Sequence, residues 1–155
     1  MSTRSLTTFF ETFKDEEKGK TIKREIATIY RQSDGYPSGM GKDLAEFLVK
    51  GKLVNGISIG SAKENQIQFN GVECLAAQVV AAFKTGVGGI YLQRANRNCG
   101  EDYRYHIIGD FDSKKITMKV FEVGYMKGNK YIDKAKCVFS GSPQEFLESK
   151  LLKEE

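Results

Sequence analysis

The chain has a single histidine, and its three cysteines, Cys74, Cys99 and Cys137, lie far apart with no C-x-x-C pair. That scarcity argues against a zinc site of the usual Cys/His type, which needs several clustered ligands. An odd number of scattered thiols makes no disulfide framework either. Buried, reduced cysteines in a reducing cytoplasm are expected. No apolar run approaches the roughly 20 residues that cross a bilayer, so no membrane partner is expected. The opening MSTRSLTTFFETFKDEEKGK lacks the continuous apolar stretch of a secretory signal. Basic residues are not concentrated: 24 Lys and Arg are interleaved with 20 Asp and Glu, for a net charge of +4. A dedicated nucleic-acid binder gathers its cations more tightly. This balance tolerates an anionic ligand without requiring one.

What is present suits one folded domain. The 155 residues are 40% hydrophobic and 28% charged, enough for one good core. Residues 1–20 read as an N-terminal extension bearing a short amphipathic helix, because Phe9, Phe10 and Phe13 recur at helical spacing. Residues 21–155 read as a single α+β domain. The segment TIKREIATIYR (21–31) predicts a strand, with Ile22, Ile26 and Tyr30 on one face. A helix is expected from about Lys42 to Lys50, with Leu44, Phe47 and Leu48 buried and Gly51 ending it. LVNGISIG and IQFNG predict two short extended pieces. GVECLAAQVVAAFKTG predicts the central helix, with Val72, Leu75, Val79 and Phe83 on its buried side. Four strands follow in GGIYLQ, DYRYHIIGDF, KKITMKVFEVGY and KYIDKAKCVFSG, and an antiparallel meander is the simplest way to join them. Ser142, Pro143 and Glu145 form a capping box that opens a last helix. The expected architecture is an antiparallel sheet of about five to six strands packed against two to three helices.

One segment stands out as chemistry, YRQSDGYPSGMGKDLAEFL, in which a strand runs through a glycine-rich loop into a helix N-terminus. Free backbone N–H groups and the positive end of a helix dipole can hold an anion there. The candidate ligand-binding residues are Arg31, Asp34, Tyr36, Ser38, Gly39, Gly41 and Lys42. Neither a P-loop nor a dinucleotide fingerprint fits, because Asp43 replaces the Ser or Thr of the first and Leu44 the last glycine of the second. A close turn without a ligand is the competing explanation. Arg94, Arg97, Tyr103, Arg104 and Tyr105 form a second mixture of cations and aromatics, able to stack bases and grip phosphates. His106 could act as a general base or fill a half-buried structural position. Asp34, Asp43, Glu46, Asp110 and Asp112 are explained most cheaply by caps and turns.

The motif Y-R-x-x-D-G-Y-P-x-G-x-G-x-x-L-x-x-F-L resembles the opening of a family of small uncharacterised proteins of phage and prokaryotic genomes. The resemblance continues through the alanine-rich helix, the D-Y-R-Y-x-I strand and the Ser142–Leu147 ending, and leaves out the first 20 residues. It implies a genomic setting and no mechanism. The leading expectation is non-catalytic binding of a small anionic ligand, a nucleotide above all, through the loop 31–42. No cofactor or metal is expected. In the phage setting this becomes a counter-defence protein that sequesters a nucleotide signal, acting as a homo-oligomer. The alternatives are a nucleic-acid-binding accessory protein and an enzyme acting on nucleotides or phosphoesters.

Overall fold

The computed structural model describes residues 2–56, 66–94 and 99–153. Among the described residues, eight strands and three α-helices make one α+β domain. The strands are β1 (Ser5–Asp15), β2 (Lys20–Arg31), β3 (Gly51–Val54), β4 (Ile67–Asn70), β5 (Ile90–Gln93), β6 (Tyr103–Asp110), β7 (Ile116–Lys127) and β8 (Lys130–Gly141). The helices are α1 (Lys42–Val49), α2 (Gly71–Phe83) and α3 (Pro143–Leu147). Six strands form the main sheet in the order β5-β2-β1-β6-β7-β8, and β3 pairs with β4 apart from it.

The largest departure from expectation is at the N-terminus. Residues expected as a helical extension form β1, a central strand of the sheet. The segment SLTTFFETFKD is rich in Thr and Phe, which suit a pleated surface buried on one side and half-buried on the other. Phe9 and Phe10 sit on opposite faces, as strand neighbours must. Phe9 is wholly buried in the core. Phe10 packs its ring 4.9 Å from that of His106 on the other side.

Because β1 enters between β2 and β6, the sheet is mixed rather than antiparallel. β1 pairs antiparallel with β2 and parallel with β6. The meander survives only from β6 to β8. β5 lies instead at the far edge, against β2. A bulge in β2 also changes the expected facing. Phe9 pairs with Ala27 while Phe10 pairs with Glu25, so Ile26 is the extra residue. Ile22 and Tyr30 therefore lie on opposite faces.

All three helices cover one face of the sheet. Phe9, Ile29, Tyr105, Ile107, Met118 and Val120 from that face join Leu44, Leu48, Leu75, Val79 and Phe146 in one buried cluster. α2 buries Val72, Leu75, Ala76 and Val79, and Phe83 at its end is half-buried. Phe47 of α1 lies 5.8 Å from Phe69 and 5.9 Å from Phe83, ring to ring. α3 opens with the expected capping box: Ser142 Oγ accepts from the Glu145 amide, and the Glu145 carboxylate accepts from the Ser142 amide. Of the extended piece expected at LVNGISIG, Leu53 and Val54 end β3, and the part from residue 57 onward lies outside the described residues. None of the three cysteines forms a disulfide, and where buried thiols were expected Cys74 and Cys99 are half-buried and Cys137 is exposed on β8.

Phe9→Ala removes a fully buried ring from the central strand. It should cost about 3–5 kcal/mol of folding stability, measured by denaturant unfolding. A strand that merely decorated the domain would lose far less.

Candidate functional site

The glycine-rich loop runs from the end of β2 to α1, and the chain consumes most of its own donors. Pro37–Gly41 forms one wide helical turn that continues directly into α1. The Gly35 amide donates to the Thr3 carbonyl at 3.0 Å, Gly39 to Tyr36 at 2.9 Å, and Met40 to Asp34 at 2.8 Å. The Lys42 amide turns back to the carbonyls of Gly39 and Pro37. The Gly35 carbonyl accepts from the buried Tyr105 hydroxyl at 2.7 Å. These bonds fasten the loop to β1 and β6.

Its glycines answer to space. A Cβ on Gly35 would stand 2.7 Å from the Arg4 carbonyl carbon, and one on Gly41 would stand 2.8 Å from Phe146 Cζ. Asp34 adopts a positive φ of 56°. Its carboxylate accepts from the Tyr36 hydroxyl at 3.2 Å. Arg31 is also engaged: Nη1 donates to Asp43 Oδ2 at 2.7 Å and Nε to the Ser33 carbonyl at 2.9 Å. Lys42 lies 3.8 Å from Glu46. Ser38 is half-buried and Tyr36 is exposed at the rim. A cleft of about 390 Å³ opens beside Arg31, with Phe47, Lys50 and Phe83 among its walls and Asp43 and Glu46 balancing the cations.

The second sequence cluster is divided. Arg94 is exposed just beyond β5, and Arg97 lies outside the described residues. Tyr103 and Arg104, being strand neighbours, face opposite ways. Tyr103 pairs in register with Ser5 on the helix-covered side. It lines a groove of about 690 Å³ with Arg4, Asp102 and Glu122. Arg104 lies on the other face, where Nε donates to the buried carboxylate of Glu101 at 2.7 Å.

That other face carries what the sequence reading missed. Among the described residues no helix packs on it. His106 stands between two rings, 4.9 Å from Phe10 and 4.7 Å from Phe121. Lys23 Nζ sits 4.2 Å above the Phe10 ring. Lys119 is directly opposite His106 in register. Neither lysine forms an ion pair among the described residues; Glu25 and Asp110 are the carboxylates that register places on this face. Burial, with Lys23, Lys119 and Arg104 around it, pushes His106 down to about 4. Burial and the charge of Lys119 hold Lys23 below the usual lysine range. Phe10, Lys23, Lys119 and Phe121 could have been found by period-two alternation, once residues 5–15 are read as a strand.

The acidic candidates have structural partners. Asp110 accepts from Ser113 and from the Thr12 hydroxyl, which holds its carboxyl below the ordinary range, and Asp112 accepts from the Lys14 amide. Among the described residues no cluster of His, Cys, Asp and Glu could hold a metal ion, and no helix is long and apolar enough to cross a membrane.

No protein-family model, curated protein or solved structure matches the chain.

Two predictions follow from this geometry. Gly35→Ala should destabilise the fold by about 1–3 kcal/mol, because backbone rather than a mobile side chain meets the new methyl. Lys42→Ala, at an exposed pair, should change stability by less than about 0.5 kcal/mol; equal effects would contradict the packing account. For His106, the unfolded chain takes up a proton near pH 6.5, whereas the folded chain does so only near 4. Stability should therefore fall as pH drops from about 6.5 towards 4, and His106→Phe should remove part of that loss in unfolding curves.

Proposed function

We propose that this chain is a non-catalytic binding module for a nucleotide-type anion, and that it uses the uncovered sheet face around Phe10, His106 and Phe121. One observation carries the reading: rings are interleaved there with Lys23 and Lys119, neither of them ion-paired among the described residues. Aromatic faces accept a base, and ammonium groups beside them accept phosphate. At a pKa of about 4, His106 is neutral at pH 7 and a weak general base. That favours binding over turnover.

The loop 31–42 is the competing seat for the anion. The cleft beside Arg31 favours it. The internal use of the loop's amides and the Arg31–Asp43 pair weigh against it. The phage resemblance suggests the form in which a homo-oligomer sequesters a nucleotide signal, and that form can use either seat.

Titration calorimetry with adenosine monophosphate and triphosphate tests the reading. Binding without turnover is expected, weakening as salt rises. Lys23→Gln with Lys119→Gln should weaken it about tenfold or more. The single imidazole offers an independent readout, because a bound phosphate should raise the His106 pKa from about 4. Binding lost in Arg31→Ala but kept in the lysine variant would move the site to the loop. Absence of binding by either nucleotide would discard the proposal.

A further inference from the structure

Resting on that reading, we infer that the occupant of the uncovered face is a single-stranded nucleic acid rather than a mononucleotide. The layout of the face across the sheet favours a nucleic-acid strand. Register places Tyr91, Tyr30, Leu6, Arg104, Phe121 and Cys137 in one row that crosses all six strands. At one end Tyr30 and Tyr91 hold their rings 6.0 Å apart. Towards the other end stand Phe121, His106 and Phe10. β2 and β7 are three strand spacings apart, about 14 Å. One base covers one of these ring groups and leaves the other bare. A strand of linked nucleotides covers both.

The charges follow the same line. Arg94 is exposed next to β5, at the tyrosine end. Lys23 and Lys119, neither ion-paired among the described residues, flank the His106 end, and Arg104, held by Glu101, lies between the two groups. A polyanion is the complement to such a spread of cations, and ring faces with no hydrogen-bonding pattern suit any base. A duplex fits poorly, because its bases are already stacked and paired inside the helix. A second copy of this chain fits poorly as well. A two-fold interface with its axis near His106 would bring Lys23 and Lys119 close to the same lysines of the other copy. Within one chain, burial first and then the charge of Lys119 already lower the Lys23 pKa.

Fluorescence anisotropy with thymidine monophosphate, oligothymidylates and oligouridylates of increasing length, and a DNA duplex of the longest sequence tests the inference. Affinity should rise about tenfold or more once the strand reaches both ring groups. It should fall steeply with salt. The duplex should bind more weakly than the single strand. Comparing the thymidylate and uridylate series separates DNA from RNA as the preferred strand, and either preference supports the inference. Tyr91→Ala, on an exposed edge position, should weaken the long strand and leave the monophosphate unaffected. Equal affinity at every length, with the monophosphate still bound, overturns this inference and leaves the binding-module reading intact. Failure of every probe overturns both. A dimer in sedimentation that breaks on Lys119→Glu and binds no strand assigns the face to a second copy and overturns the inference.

Discussion

The pairing of β1 with β2 on one side and β6 on the other is the interaction on which the rest of the structure depends. Without β1 the sheet divides into the pair β5-β2 and the ribbon β6-β7-β8. The helix layer needs both halves, because Ile29 comes from one and Tyr105, Ile107, Met118 and Val120 from the other. Phe9 joins them from β1 itself. The same strand supplies both surfaces of the molecule: its odd residues enter the core, and its even residues, Thr8 and Phe10 among them, build the uncovered face.

The glycine-rich loop depends on β1 as well. Its Gly35 amide reaches the Thr3 carbonyl just before β1, and its Gly35 carbonyl is held by Tyr105 in the next strand. A glycine pattern that resembles a phosphate cradle is satisfied here by close packing against backbone and rings. The residue types needed for the two purposes are the same. Both need small residues ahead of a helix, so composition alone does not separate them.

Local signals in the sequence read well. The capping box at Ser142, the alanine-rich α2 and the turn-bounded ribbon β6-β7-β8 each carry their pattern within a few residues. What failed was non-local. Phe9, Phe10 and Phe13 are spaced to suit one helical stripe, yet Thr and Phe also favour a strand, and only the presence of β6 decides between them. The site suffered from that error. With 5–15 taken as a helix, Phe10 could not be placed beside His106. Lys119 lies on the strand paired directly with that of the histidine, whereas Lys23 belongs to β2, which only β1 brings near it. Tyr103 and Arg104, grouped by proximity in the chain, were separated by the pleat.

The parallel contact between β1 and β6 also bears on how the molecule assembles. Thr12 and its partner Asp110 are 98 residues apart in the chain. β1 and β2 can form a hairpin as soon as both exist, but the other edge of β1 stays unpaired until β6 has been made and delivered. That edge is rich in Thr and Phe and carries unpaired backbone groups, which makes it a template for another chain's strand. The parallel pairing of β1 with β6 therefore carries the loop-closure cost of a long-range contact, and until it forms the open edge favours aggregation.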